Sequence, residues 1–227
     1  MIPLKDDNPT SSRPVVTYFL IGLCVVVFLV QIGSQSYKTG QLFYSYGLIP
    51  SVLMGHDQLP IDLYAVPAYL TIFTSMFMHG GWIHLIGNMW YMKIFADNIE
   101  DNLGSRNFII FYILCGIGAA MAQVLTDTHS QVPMVGASGA IGGVLGAYLI
   151  NHPNARVLVL IPYIIITIIK IRALYVLGFW FILQFISSGG GVAYAAHIGG
   201  FVSGMILILF FNKKSRKKNK VVKGPWG

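Results

Sequence analysis

Apolar residues fall along this chain in long runs, separated by short polar connections. A helix rises about 1.5 Å per residue, so about 20 mostly apolar residues carry it across the hydrocarbon of a bilayer. Residues Val15–Gly33, 107–125 and 192–211 meet that length without a single Asp, Glu, Lys or Arg, and each predicts a crossing helix. Residues 82–96, 135–151 and 173–188 are also mostly apolar but are interrupted by polar residues or glycines. Polar groups are costly inside a span, so interruptions of this kind mark function. The first run has an apolar core longer than that of a secretion signal and reads as a retained helix.

Between the fourth and fifth of these runs lies 157–169, an isoleucine-rich stretch that is short, broken by Pro162 and flanked by Arg156 and Lys170. Basic residues at both ends place both ends on the cytoplasmic side. The stretch is therefore expected to be an interfacial segment or a cytoplasmic extension of the fifth helix, which leaves six spans and an all-α membrane protein. The connection 34–70 carries Phe43, Tyr44, Tyr46, Leu48, Ile49, Val52, Leu53 and Met54, more apolar surface than a solvated loop needs. It is expected to be partly embedded in the outer leaflet, packed on the helices.

Composition sharpens this picture. Of 227 residues, 55% are hydrophobic and 10% charged, which excludes an ordinary water-soluble fold. The net charge of +7 could point to nucleic acid, but the basic residues crowd into 213–223, directly after an apolar run, and read as a cytoplasmic anchor. With an even number of spans both termini are then cytoplasmic. Arg156, Lys170 and Arg172 agree with that sidedness, whereas Asp97, Glu100 and Asp101 after the second span outnumber Arg106. The expected organisation is a cytoplasmic segment 1–14, a six-helix domain 15–211 and a basic cytoplasmic tail 212–227. Cys24 and Cys115 lie inside apolar runs and read as small buried hydrophobes, with neither a disulfide nor a catalytic thiol implied.

Four hydrogen-bonding residues inside the spans stand out. His84 and Asn88 are four apart and share one face of the second span. Ser138 opens the fourth, and His197 lies a little over one turn into the sixth. The second, fourth and sixth spans all start outside and run inward, so the four residues belong to the outer half of the membrane and can meet. Ser138 sits in Gly136-Ala137-Ser138-Gly139, where glycines permit a tight turn into a helix and close approach of a substrate backbone. A serine needs an adjacent base, which a neutral His197 supplies. Gly139, Gly142, Gly143 and Gly146 on one side, and Gly199, Gly200 and Gly204 on the other, allow two membrane helices to approach closely. His84, Asn88 and the backbone N–H of Ser138 are the donors available to a tetrahedral oxyanion. A metal site of His79, His84 and His197 lacks any H-E-x-x-H pattern or carboxylate ligand. His56, His129 and His152 fall in connections and are expected to be solvated.

These residues resemble the rhomboid family of intramembrane serine proteases over nearly the whole chain. His79-Gly-Gly-Trp-Ile-His84-Leu-Ile-Gly-Asn88 is similar to the family's second-helix signature, Gly136-Ala-Ser138-Gly to its nucleophile motif, and Ala196-His197-Ile-Gly-Gly200 with Gly204 to its sixth-helix motif. Gly47-Leu-Ile-Pro50, Asp97-Asn-Ile-Glu100-Asp101 with Leu103-Gly104, and Gly178-Phe-Trp180-Phe are lesser points of similarity. The resemblance implies a six-transmembrane-helix rhomboid-like bundle and a Ser138/His197 dyad that works without an acid. No Asp or Glu occupies the outer halves of these spans, so helix packing is expected to orient the imidazole.

Two departures bear on the site. Gly142 stands where some family members place an aromatic residue beneath the histidine, and the first loop lacks a Trp-Arg pair found in others. The expected activity is endoproteolysis of transmembrane or membrane-proximal segments of membrane proteins, in the lipid bilayer of a bacterial cell membrane, with no cofactor, metal or nucleic acid. The connection 187–191 and the aromatic stretch 179–181 are expected to act as cap and gate. The alternative is a catalytically silent rhomboid-like binder of membrane clients.

Overall fold

The structure is a computed structural model and describes residues 1–35, 40–162, 166–186 and 192–218. The chain begins with strand β1 (Ile2–Asp6) and enters helix α1 (Val15–Gly33). Two short helices follow, α2 (Gln41–Tyr46) and α3 (Pro50–Leu53), and then α4 (Thr71–Thr74), which is flanked by single 3-10 turns. Helices α5 (Trp82–Leu103), α6 (Ser105–Thr126) and α7 (Ser138–Asn151) precede a hairpin of β2 (Arg156–Pro162) and β3 (Ile166–Arg172). Helices α8 (Ala173–Ile186) and α9 (Tyr194–Lys218) complete the described chain.

Three of these are long and apolar enough to cross a bilayer: α1, α6 and the Tyr194–Asn212 part of α9. Helices α7 and α8 are apolar but have only 14 residues each. Helix α5 has 22 residues, of which Lys93, Asp97, Glu100 and Asp101 are charged. On length and hydropathy, therefore, the described helices do not all reach the crossing length that six runs had suggested. In α7 the reason is visible: every residue from Gly139 to Tyr148 is buried. A helix enclosed by protein on all sides does not have to match the thickness of lipid.

That enclosure is made possible by glycine. A methyl group added at Gly200 or Gly204 of α9 would run into the carbonyl oxygens of Gly139 and Gly143 on α7. One added at Gly146 would meet the Phe201 carbonyl in return. The two backbones touch along this seam, as the small-residue pattern predicts.

The acidic last turn of α5 has an internal use. Helix α1 has no side-chain cap of its own. Instead Glu100, 1% exposed, accepts the N–H groups of Val16 and Thr17 at 2.9 and 2.7 Å, a negative charge on the positive end of a helix. Asp101 accepts the N–H groups of Ser11 and Ser12 in the same way. Gly104, at φ +73°, then turns the chain from α5 into α6, a conformation that favours glycine.

Residues 157–169 correct the sequence expectation. The described ones, 157–162 and 166–169, do not extend the fifth helix, and the protein is not all-α. Residues 157–162 and 166–169 lie in β2 and β3, the middle and edge of a three-stranded antiparallel sheet of order β1-β2-β3. Val and Ile are stiff at χ1 and favour strands, and Val157 and Val159 turn into the core. The third strand, β1, comes from the far end of the sequence, with Ile2 opposite Leu160 and Asp6 opposite Val157. The hairpin returns to where it started, with Arg156 opposite Arg172, so it adds no crossing between α7 and α8.

Within 34–70, Leu48 and Ile49 are buried, whereas Tyr44 and Met54 are exposed. Leu48 is fully buried against Ala120 and Val124 of α6 and bridges Met134 in an antiparallel pair. The histidines outside the spans divide. His56 and His129 are exposed and stack ring on ring at 4.1 Å, but His152, expected to be solvated, is half-buried with Nε2 2.7 Å from Asn102 Nδ2.

Candidate active site

A turn prepares the serine. Gly136 has φ +129°, and its N–H donates to the Ser75 carbonyl at 2.9 Å. A side chain at 136 would also press on the His84 imidazole, so both conformation and space call for glycine. Ala137 then caps α7, and Ser138 is its first residue. The first backbone bond back into this end runs from Ile141 N–H to Ala137 O at 3.0 Å. Helix geometry thus leaves the N–H groups of Ser138, Gly139 and Ala140 without helical acceptors.

His197 is delivered by α9 across the glycine seam, and its Nε2 lies 2.8 Å from Ser138 Oγ. The separation is that of a hydrogen bond between a hydroxyl and a ring nitrogen. Both residues line a cavity of about 910 Å³, and His84, Asn88, Gly136 and Trp180 line it too. All four polar residues singled out in the sequence therefore meet in one place.

The two other polar groups are arranged as donors. Gly80 N–H donates to His84 Nδ1 at 3.3 Å, which puts the ring hydrogen of neutral His84 on Nε2, the nitrogen that faces Gly136. Asn88 is buried, and its Nδ2 has no hydrogen-bond partner among the described residues. Buried donors normally find a partner, so an unsatisfied one at the cavity is positioned for an acceptor that arrives from elsewhere.

His79 sits behind His84 rather than in the cavity. It is fully buried, and the two rings meet edge to face at 5.2 Å. Gln31 of α1 holds its backbone from both sides, accepting from His79 N–H at 3.1 Å and donating to its carbonyl at 3.2 Å. Among the described residues no group of three His, Cys, Asp or Glu side chains is placed to hold a metal ion. Cys24 and Cys115 are buried away from this cavity.

Two further residues of the site come from α8: Gln184, missed in the sequence, and Trp180, placed there only in the expected gate. Gln184 Oε1 lies 2.8 Å from His197 Nδ1, so a polar side chain does reach the imidazole, contrary to the expectation that helix packing alone orients it. Trp180, one turn earlier, stacks obliquely on the same imidazole, with centroids 5.7 Å apart. Its ring also lies next to the position a Cβ of residue 142 would take, so the aromatic neighbour absent at Gly142 is supplied from another helix. The signal for Gln184 was present: a hydrogen-bonding side chain within an apolar span.

Comparison with known proteins follows the same lines. The Rhomboid domain family model matches residues 66–214. The chain is 30% identical over 197 residues to Rhomboid protease GluP of Bacillus subtilis (strain 168), covering 86% of this chain and 34% of that protein. It is 32% identical over 138 residues to RHOMBOID-like protein 5 of Arabidopsis thaliana, covering 60% of this chain and 42% of that one. Rhomboid protein 1, mitochondrial, of Saccharomyces cerevisiae (strain ATCC 204508 / S288c) is 25% identical over 173 residues, covering 71% of this chain and 48% of its own length. The chain thus spans between 34% and 48% of the length of these curated relatives. A glycine-framed serine, a histidine in contact with it and a family match across most of the helices agree, and this membrane protein belongs to the rhomboid family.

Proposed function

We propose that the protein is an intramembrane serine endopeptidase, with Ser138 as nucleophile and His197 as general base. The observation that carries the reading is the 2.8 Å contact between His197 Nε2 and Ser138 Oγ, beside a buried Asn88 whose Nδ2 has no partner among the described residues. In this reading Nε2 takes the hydroxyl proton as Oγ bonds the scissile carbonyl carbon. The oxyanion is met by His84 Nε2–H, Asn88 Nδ2–H and the Ser138 N–H. The same proton passes to the departing amine, and water then cleaves the ester to release the second product. Neither cofactor nor metal is required.

Substrates in this reading are membrane proteins whose transmembrane or membrane-proximal segments unwind into the cavity. The protein crosses the cell membrane six times, through α1, α5, α6, α7, α8 and α9, with 15–211 as the protease domain and both termini cytoplasmic. The expected gate at 179–181 falls in α8. The expected cap, 187–191, and most of the basic tail lie outside the described residues.

The test is cleavage of a membrane-embedded reporter together with labelling by a fluorophosphonate. Wild type is expected to do both, and Ser138→Ala and His197→Ala to do neither while folding normally. Retained cleavage in either variant removes the assignment. A silent client binder would leave the wild-type serine unlabelled.

A further inference from the structure

We infer that Gln184 is a positioning residue, which fixes the tautomer and orientation of His197 from helix α8. The inference deepens the reading of Ser138 and His197 as nucleophile and base, and rests on it. It starts from the direction of each hydrogen bond. The Trp180 carbonyl can only accept, and a Gln184 side-chain atom lies 2.8 Å from it, so that atom is the amide nitrogen Nε2. The other end of the amide, Oε1, then faces His197 Nδ1 at 2.8 Å. Oε1 can only accept as well, so Nδ1 must carry the ring hydrogen. In a neutral imidazole this leaves Nε2 bare, and Nε2 is the nitrogen in contact with Ser138 Oγ.

The polarity of the whole chain is thereby set from one end. Ser138 O–H points to His197 Nε2, His197 Nδ1–H to Gln184 Oε1, and Gln184 Nε2–H to the Trp180 carbonyl. A carboxylate does this work in the familiar serine hydrolase triad, holding the tautomer and steadying the imidazolium that forms. Within a membrane span a carboxylate is costly to bury, whereas an amide offers the same acceptor geometry without a charge. Gln184 is 9% exposed, so water competes little for its oxygen.

Two of the side chains on the imidazole, Trp180 against its face and Gln184 at its edge, therefore belong to α8. Few contacts tie that helix to the rest: Val176 and Leu177 are buried, but Phe179, Ile182, Phe185 and Ile186 face outward. The base is correctly set only while α8 is seated beside α9, and displacement of α8 disarms the histidine as well as widening the cavity.

The test uses the full-length protein labelled with 15N-histidine, with His197→Ala identifying its signals. Wild-type His197 is expected to be protonated on Nδ1, whereas Gln184→Met, similar in length but without an acceptor, gives a tautomer mixture. Gln184→Glu, which keeps an acceptor, retains the wild-type tautomer. Cleavage kinetics should show kcat falling roughly 10- to 100-fold in Gln184→Met with KM within about twofold, less than the loss from removing a triad aspartate. A hydrogen on Nε2 of wild-type His197, or an unchanged tautomer and kcat in Gln184→Met, would overturn the inference. The wild-type spectrum needs no variant to fold. Wild-type protein that neither cleaves nor labels would instead defeat the protease reading, and the tautomer would still decide the role of Gln184.

Discussion

Asn88 and His84 hold their donors toward the cavity without being needed to hold the fold there. Among the described residues Asn88 Nδ2 has no partner, and His84 Nδ1 accepts a 3.3 Å bond from Gly80. If these donors serve the oxyanion, removing one costs transition-state stabilisation and little ground-state binding. Asn88→Ala is expected to lower kcat roughly 100- to 1000-fold with KM nearly unchanged. Steady-state cleavage of a reporter checks this, and a loss confined to KM would move Asn88 into substrate binding. His84, Asn88, Ser138 and His197 were legible in the sequence because polar atoms are conspicuous in apolar runs. Gln184 met the same standard, as Asn88 did, but nothing local in the sequence places it beside His197. Only the fold shows that it touches the imidazole.

Among the elements, α7 depends most on its neighbours. Its glycines bring α9 to backbone contact, so a branched side chain in the seam has no room and no flexible neighbour to displace. Gly200→Val is expected to cost at least about 3 kcal/mol and to abolish activity, measured by thermal unfolding in detergent and by reporter cleavage. The seam was readable from composition, whereas the sheet was not. Val157 and Ile161 signal a strand only weakly on their own, and the partner that completes the ladder lies some 150 positions earlier, beyond any local pattern.

The same sheet should respond to acidity. Burial pushes the Asp6 carboxyl up to about 6, against a smaller opposing effect of the Tyr148 hydroxyl, which donates to it at 2.6 Å. An unfolded aspartate titrates near pH 3.9. The raised value means that protonated Asp6 favours the docked strand. That stability is fully present below about pH 4 and is lost as pH rises through about 6. Amide hydrogen exchange in Leu4 to Asp6 should therefore reveal more frequent strand opening at pH 7 than at pH 4. Asp6→Asn should remove that difference, and an equal dependence in the variant would place its cause elsewhere.

For the whole molecule, the proposed sidedness is what allows serine and histidine to share a depth. A cysteine at Val132, 70% exposed in the connection before α7, should react with a membrane-impermeant maleimide on intact cells. One at Pro9, exposed beside the sheet, should react only after the membrane is opened. The reverse pattern would invert the protein and overturn the cytoplasmic placement of its termini. The hairpin matters here too: because Arg156 and Arg172 lie opposite each other, α8 starts at the end where α7 stopped, and α9 then presents His197 at the level of Ser138.

Strand β1 also imposes an order on how the protein is made. Its residues pair with Val157 to Leu160, so the ladder cannot close until the chain through β2 has been synthesised. Contacts between such distant positions form slowly, and until then the β2–β3 ladder has a bare edge open to other chains. Bulk introduced directly before Ile2 would burden that pairing, whichever helices had already assembled.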